Sequence, residues 1–276
     1  DWVVIDEAGR ASPFELLIPM VQGKRVVLIG AHRQLPPTVD EALARRSTDE
    51  DRPSADVRYE TLFGLLFRML PPAARERLAT QYRMHGEIGA LVDEIFYRPH
   101  NESVASAFSG ELAGQRVVKW DVFGRRPAVW VDVAPQGEFC REENHREAEA
   151  ILQLLRRYRD AGALPTPEDG PPVAVICPYS RQRERIRRAV ARDATLAGLV
   201  VVKTIDAVQG REYPVVVLCL VRTDGRPGFL ASPNRLNVAI SRAQRQLVVV
   251  GSSRRFLDSA RVRASARGTT GGAVSF

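Results

Sequence analysis

Short β-branched runs alternate with amphipathic stretches along most of the chain. Trp2 to Ile5, Arg25 to Ile29, Val129 to Val133, Val173 to Cys177, Val200 to Val202, Val215 to Leu220 and Leu247 to Val250 each read as a strand. Turn residues or helical periodicity bound each of them. Continuous apolar runs of this kind suit strands buried on both faces, so the pattern predicts α/β architecture with mostly parallel strands. The clearest helix is expected from about Asn144 to Arg159, where Ala148, Ile151, Leu152, Leu155 and Tyr158 share one face. A second helix, about Arg181 to Arg192, buries Ile186 and Val190 and turns many arginines outward, either as a solvated face or as the lining of a groove. The charged stretch from Thr48 to Asp56 reads as a surface loop. Small polar residues from 99 to 114 read as a linker, which divides the chain into domains at 1 to 98 and 115 to 258. Residues 259 to 276 read as a disordered tail.

Composition bounds the answer without choosing it. A chain of 276 residues with 45% apolar content buries one large core or two modest ones. The net charge of +7 is uneven: residues 1 to 110 hold 13 Lys and Arg against 16 Asp and Glu, and residues 111 to 276 hold 27 against 17. The second part therefore carries +10, which suits a polyanion or a merely solvated basic surface. Cys140, Cys177 and Cys219 are too widely spaced for a zinc knuckle, and an odd count makes no disulfide framework, so a reducing cytoplasm is the simplest setting. His32, His85, His100 and His145 form no spaced cluster, which speaks against a histidine metal site. The longest apolar run, Val215 to Val221, falls far short of the roughly 20 residues of a membrane span.

The candidate chemistry starts at Asp6 and Glu7, which follow the first strand. Adjacent carboxylates at the carboxyl end of a buried parallel strand are placed to hold magnesium and polarise water beside a bound nucleotide. The partner such a site needs, a glycine-rich loop ending in Gly-Lys-Ser or Gly-Lys-Thr, occurs nowhere in the 276 residues, the only Gly-Lys being Gly23-Lys24. Alone, an Asp-Glu pair is as often a helix cap. Four further motifs follow in order: Gly30-Ala31-His32-Arg33-Gln34-Leu35-Pro36-Pro37, Gln81-Tyr82-Arg83-Met84-His85, Thr204 to Glu212, and Arg235 to Ala243. Taken singly, Arg83 reads as a surface ion pair, Gln34 as a turn side chain, Arg242 as a helix residue and Thr204 as a strand residue.

In this order the motifs resemble the superfamily 1 helicases, in the branch of the nonsense-mediated-decay helicase, beginning at the Asp-Glu motif. Lesser marks agree: Asn144 with Glu147-Ala148, Pro178-Tyr179 with Gln182, and Gly228-Phe229-Leu230. The resemblance implies two RecA-like parallel-sheet domains, the first incomplete, with ATP and Mg2+ between them and single-stranded DNA or RNA across both. By motif, Asp6 holds magnesium through water, Glu7 is the base that orients the attacking water, and Gln34 senses the γ-phosphate. Arg83 and Arg242 are arginine fingers; Gln209, Gly210 and Glu212 line the nucleotide; Thr204 and Tyr179 face nucleic acid. The chain departs from the family at Ala31, where an aspartate is usual, at Arg10 and at Gly86. Loss of the carboxylate at 31 weakens the link between the ATP site and its surroundings. The expectation is the carboxyl-terminal part of an ATP-dependent helicase, inactive without a phosphate-loop segment in the same or a separate chain; a non-catalytic nucleic-acid-binding remnant is the alternative.

Overall fold

The computed structural model describes residues 1–35, 61–134, 140–162, 171–223 and 232–253. Pro36 and Pro37, the loop expected from Thr48 to Asp56, Gly228 to Leu230 and the tail from 259 lie outside the described residues.

The chain enters as β1 (Trp2–Ile5), passes through α1 (Pro13–Met20) and returns as β2 (Arg25–Leu28), parallel to β1 with Trp2 opposite Arg25. A capping box starts α1: the Glu15 amide donates to Ser12 Oγ, and the Ser12 amide to Glu15 Oε2 at 2.7 Å. Period-two alternation turns Ile5 and Leu28 toward Leu16 of α1 and Phe63 of α2 (Leu62–Met69). The opposite face is bare: Trp2 is 62% exposed and Val4 63%. Among the described residues this sheet has two strands.

The second sheet is complete enough to bury both faces. It comprises β5 (Ala128–Asp132), β6 (Val173–Cys177), β7 (Val200–Thr204), β8 (Tyr213–Cys219) and β9 (Ala243–Gly251), all parallel in the order β5-β9-β8-β6-β7. Successive side chains leave opposite faces. Val173, Val175, Val215, Val217 and Val248 pack with Ile151, Leu155 and Tyr158 on one side. Ala174, Ile176, Val216, Leu218 and Leu247 pack on the other with Val238 and Ile240. Each fully buried aliphatic side chain contributes about 1.5–3 kcal/mol, so this sheet and its helices form the main core. The expected long helix is present as His145–Asp160, capped by Asn144 Oδ1 on the Glu147 amide at 3.1 Å. The arginine-rich helix runs Ser180–Ala191. Several of its arginines pair with acids, Arg185 with Glu143 and both Arg187 and Arg188 with Glu184, as a solvated face does.

The residues just ahead of position 98 pack away from the first sheet. The helix Gly86–Val92, continued by a wider turn at Asp93–Tyr97, sends Ile88, Val92 and Phe96 into the core of the second sheet, beside Met84 and even Leu35. These apolar residues cover a sheet face that the helix Pro233–Ile240 covers only in part. Nor is 99 to 114 a bare connection. Ala105–Ser106 (β4) pairs in parallel with Thr80–Gln81 (β3), and a 3-10 helix spans Gly110–Arg116. Asp93, 5% exposed, anchors the stretch by accepting from the Val104 amide at 2.7 Å and from Arg98 Nε at 2.9 Å. Small polar residues hide this order because their partners lie ten or more residues away.

Candidate functional site

At the end of β1 the chain turns sharply. Glu7 adopts φ 54°, the left-handed region that a residue with a Cβ enters at a cost of about 1–3 kcal/mol. Its amide donates to Asp6 Oδ1 at 2.8 Å, and its carbonyl accepts from the Arg10 amide at 2.9 Å. The turn is wedged against the one after β2: a Cβ on Gly9 would stand 2.7 Å from the Ala31 carbonyl oxygen, and one on Gly30 would stand 2.6 Å from the Gly9 nitrogen. Only glycine permits that approach. Both carboxylates remain exposed to solvent.

Across from this turn, the second sheet contributes cations and amides. Gln209 Nε2 reaches Glu7 Oε2 at 3.4 Å, the contact that joins the two halves at the carboxylate pair. Gly210 follows with φ +76° and open space around it, which lets the chain double back before β8. Arg83 donates through an Nη to the Ser241 carbonyl at 3.3 Å and lies 3.3 Å from Glu212 Oε2. The expected first-domain arginine is thus held by second-sheet residues. Its own backbone is fixed by Gln81, whose Oε1 accepts from the Arg83 and Met84 amides at 2.9 and 2.7 Å.

Arg242 is 2% exposed, so its guanidinium must be satisfied internally. Nε donates to the Val238 carbonyl at 2.9 Å, and the two Nη atoms reach the Arg211 carbonyl at 3.3 Å and Ser241 Oγ at 3.1 Å. These bonds use three of five N–H donors and no carboxylate. Burial first, then repulsion from Arg83, lowers its pKa to about 10, while Glu212 and Glu7 oppose the fall. Two guanidiniums held near each other with few anions between them favour an added anion in that space. The chemistry of the donors fits a phosphoryl group near the arginines, and hard carboxylate oxygens at Asp6 and Glu7 fit Mg2+.

The structure brings Glu7, Gln209, Arg83, Glu212 and Arg242 together; it joins Asp6 to them only through the Glu7 amide. Gln34 sits on the loop after β2, between Arg33 and the buried Leu35. Thr204 closes β7, paired with Cys177 of β6. Tyr179 precedes the arginine-rich helix, with the Arg222 guanidinium 5.6 Å from its ring centre. These two therefore occupy the carboxyl ends of neighbouring strands. Sequence reading missed Glu102, which no motif flags, and Asn237, which lies inside the last motif and reads there as one more helix residue. No group of three or more potential metal ligands occurs among the described residues, and no described helix is long and apolar enough to cross a membrane.

Comparison with known proteins identifies the family. A family described as an AAA domain matches residues 59–254, and a second AAA-domain family matches residues 1–42. The chain is 31% identical to an uncharacterized ATP-dependent helicase of Methanocaldococcus jannaschii, covering 91% of this chain and 36% of that protein. It is 30% identical to the regulator of nonsense transcripts 1 homolog of Neurospora crassa, covering 91% and 22%, and 29% identical to the DNA-binding protein SMUBP-2 of Mus musculus, covering 92% and 25%. The chain belongs to this AAA-domain family of helicases, in the superfamily 1 branch that contains the nonsense-transcript regulators. It spans about a third or less of the length of these relatives.

Proposed function

We propose that this chain is part of an ATP-dependent helicase or translocase that couples hydrolysis to movement along single-stranded DNA or RNA. What carries the reading is the convergence of Arg83 and Arg242 with Glu212, Gln209 and Glu7 where the two sheets meet. Phosphoryl transfer asks a protein mainly for positioning and positive charge. In this reading Glu7 takes the proton of the attacking water, and its left-handed backbone fixes the direction of its carboxylate. Asp6 holds Mg2+ through water; the ion, when bound, draws charge from the phosphate oxygens. Gln34 orients toward the terminal phosphate. Arg83 and Arg242 meet charge developing on the transferred group, and Gln209, Gly210 and Glu212 line the nucleotide. Because Glu7 and Arg242 come from different sheets, hydrolysis depends on how closely the sheets approach, and that dependence converts a chemical step into movement. Thr204, Tyr179 and the basic second part track the nucleic-acid backbone. Two units meeting near residues 80 to 115, and a cytoplasmic setting for three free thiols, complete the proposal.

Ala31 favours the alternative, a nucleic-acid-binding remnant; Glu7, Arg83 and Arg242 favour the enzyme. Turnover decides between them. The 276-residue chain should show no nucleic-acid-stimulated ATPase by itself. It should show one when a glycine-rich phosphate-loop segment is supplied ahead of Asp1 or as a separate chain. There, Arg242→Ala should cut turnover about 10³-fold or more with little change in ATP binding. Arg242→Lys should restore little, because a point charge cannot reproduce the planar fork. A folded Arg242→Ala protein with near-normal turnover refutes the assignment.

A further inference from the structure

The loop Gly30–Leu35 is tied down on both sides. Toward the first sheet it is the surface against which the Asp6–Glu7 turn is wedged, through Gly9, Gly30 and the Ala31 carbonyl. Ala8 donates its amide to the Ile29 carbonyl at 2.8 Å, and Ile29 donates to the Ile5 carbonyl at 2.8 Å, so the two turns share backbone bonds. Toward the rest of the molecule the loop is held by two residues distant in sequence and by its own Leu35. Glu102 Oε1 takes both His32 Nε2, at 3.0 Å, and an Nη of Arg33, at 3.1 Å. Asn237 Nδ2 donates to the Arg33 carbonyl at 2.8 Å, and the next residue but one, Leu35, is buried in the second core.

This network is only partly satisfied. Glu102 Oε2, Arg33 Nε and Asn237 Oδ1 are buried, and no hydrogen bond reaches them. A carboxylate that receives two donors on one oxygen while its other oxygen is empty, opposite a guanidinium with an idle Nε, stops short of the two-pronged pairing that Arg and carboxylate favour. Asn237 also lies in the helix Pro233–Ile240, which ends two residues before Arg242: its carbonyl accepts from the Ser241 amide at 2.9 Å, and Ser241 in turn contacts both arginines.

We propose that Glu102 is the positioning residue that couples the Gly30–Leu35 loop, and through it the Asp6–Glu7 turn, to the second half of the molecule, with Asn237 as the second tie. The functional importance of this coupling rests on the nucleotide roles given above to Glu7 and Gln34, whereas its existence is testable without nucleotide. Amide hydrogen exchange on the 276-residue chain reads it directly. Glu102→Ala should raise exchange at the Ala8 and Ile29 amides about tenfold, although neither residue touches Glu102, because loss of a charged hydrogen-bond pair frees the loop that wedges them. Exchange at Val216 and Leu218 in the second core should not change. If Glu102→Ala does not fold, Glu102→Gln tests the same idea with shape preserved, and the same two amides should exchange several-fold faster. Asn237→Ala should act in the same direction. Unchanged Ala8 and Ile29 exchange in the folded variants, or equal acceleration at every amide including Val216, overturns the proposal.

Discussion

Glu147 gives the sharpest test of how the second sheet is held. The side chain is fully buried where the long helix His145–Asp160 begins. Its Oε2 accepts from the Val221 amide at 2.7 Å and from Cys219 Sγ at 3.1 Å, and its Oε1 accepts from Asn144 Nδ2 at 3.1 Å. Val221 is itself held at φ 68°, a costly conformation for a β-branched residue, so the carboxyl group clamps a strained strand end. Burial raises the pKa of Glu147 to about 7, against the pull of the donors from Cys219, Val221, Leu220 and Asn144. An acid raised in the folded state binds a proton there that the unfolded chain has already released. Its stabilising contribution is therefore complete below about pH 4.5 and is lost as pH rises through 7. A rise from 4.5 to about 7 is worth about 3 kcal/mol. Glu147→Gln cannot ionise, so the stability difference between variant and parent should move by about 3 kcal/mol in the variant's favour between pH 4.5 and pH 8.5. For a chain of this size that is on the order of 10 °C in melting temperature. His85 and His100, whose pKa values burial lowers, titrate equally in both proteins and cancel in the difference. Urea melts at four pH values across that range supply the measurement. Parallel stability curves for parent and Glu147→Gln would show that Glu147 is ionised throughout and that the burial argument is wrong.

Two further outcomes follow from the proposed site. In the protein supplied with a phosphate loop, Glu7→Gln should keep ATP binding and lose hydrolysis, since the amide keeps the shape but takes no proton from water; equal loss of affinity and turnover in a binding and steady-state assay would make Glu7 structural. The 276-residue chain should bind single strands weakly, with affinity falling steeply with salt at a log-log slope of about −0.7 per phosphate neutralised, and binding that ignores salt, measured by fluorescence anisotropy, would reduce the +10 of residues 111 to 276 to a solvated surface.

Periodicity alone located every strand of the second sheet to within a few residues, because strands buried on both faces must be apolar throughout, and Val173–Cys177 and Tyr213–Cys219 are. The same holds for the helix capped at Asn144. Motif order located the candidate catalytic side chains, since carboxylates and arginines at fixed spacing are local signals. What the sequence left dark is where elements meet. The helix from Gly86 reads equally well as the end of the first unit or the start of the second, and only packing gave Ile88, Val92 and Phe96 to the second core. The segment 99 to 114 reads as a linker because its pairing with Thr80–Gln81 and its tie to Asp93 are long-range.

Sequence by itself thus determined the α/β class, the parallel strands and the family, and it named the candidate side chains for the proposed chemistry, all from short stretches whose burial and spacing are written in consecutive residues. Tertiary structure alone decided that Arg83 is gripped by Ser241 and Glu212, that Arg242 is buried among backbone carbonyls, and that Glu102 holds the loop beside Ala31. Those facts depend on which surfaces come within about 3 Å of each other after folding, and hydrogen bonds between segments far apart in sequence, such as His32 to Glu102 and Arg83 to Ser241, leave no periodic trace in the chain.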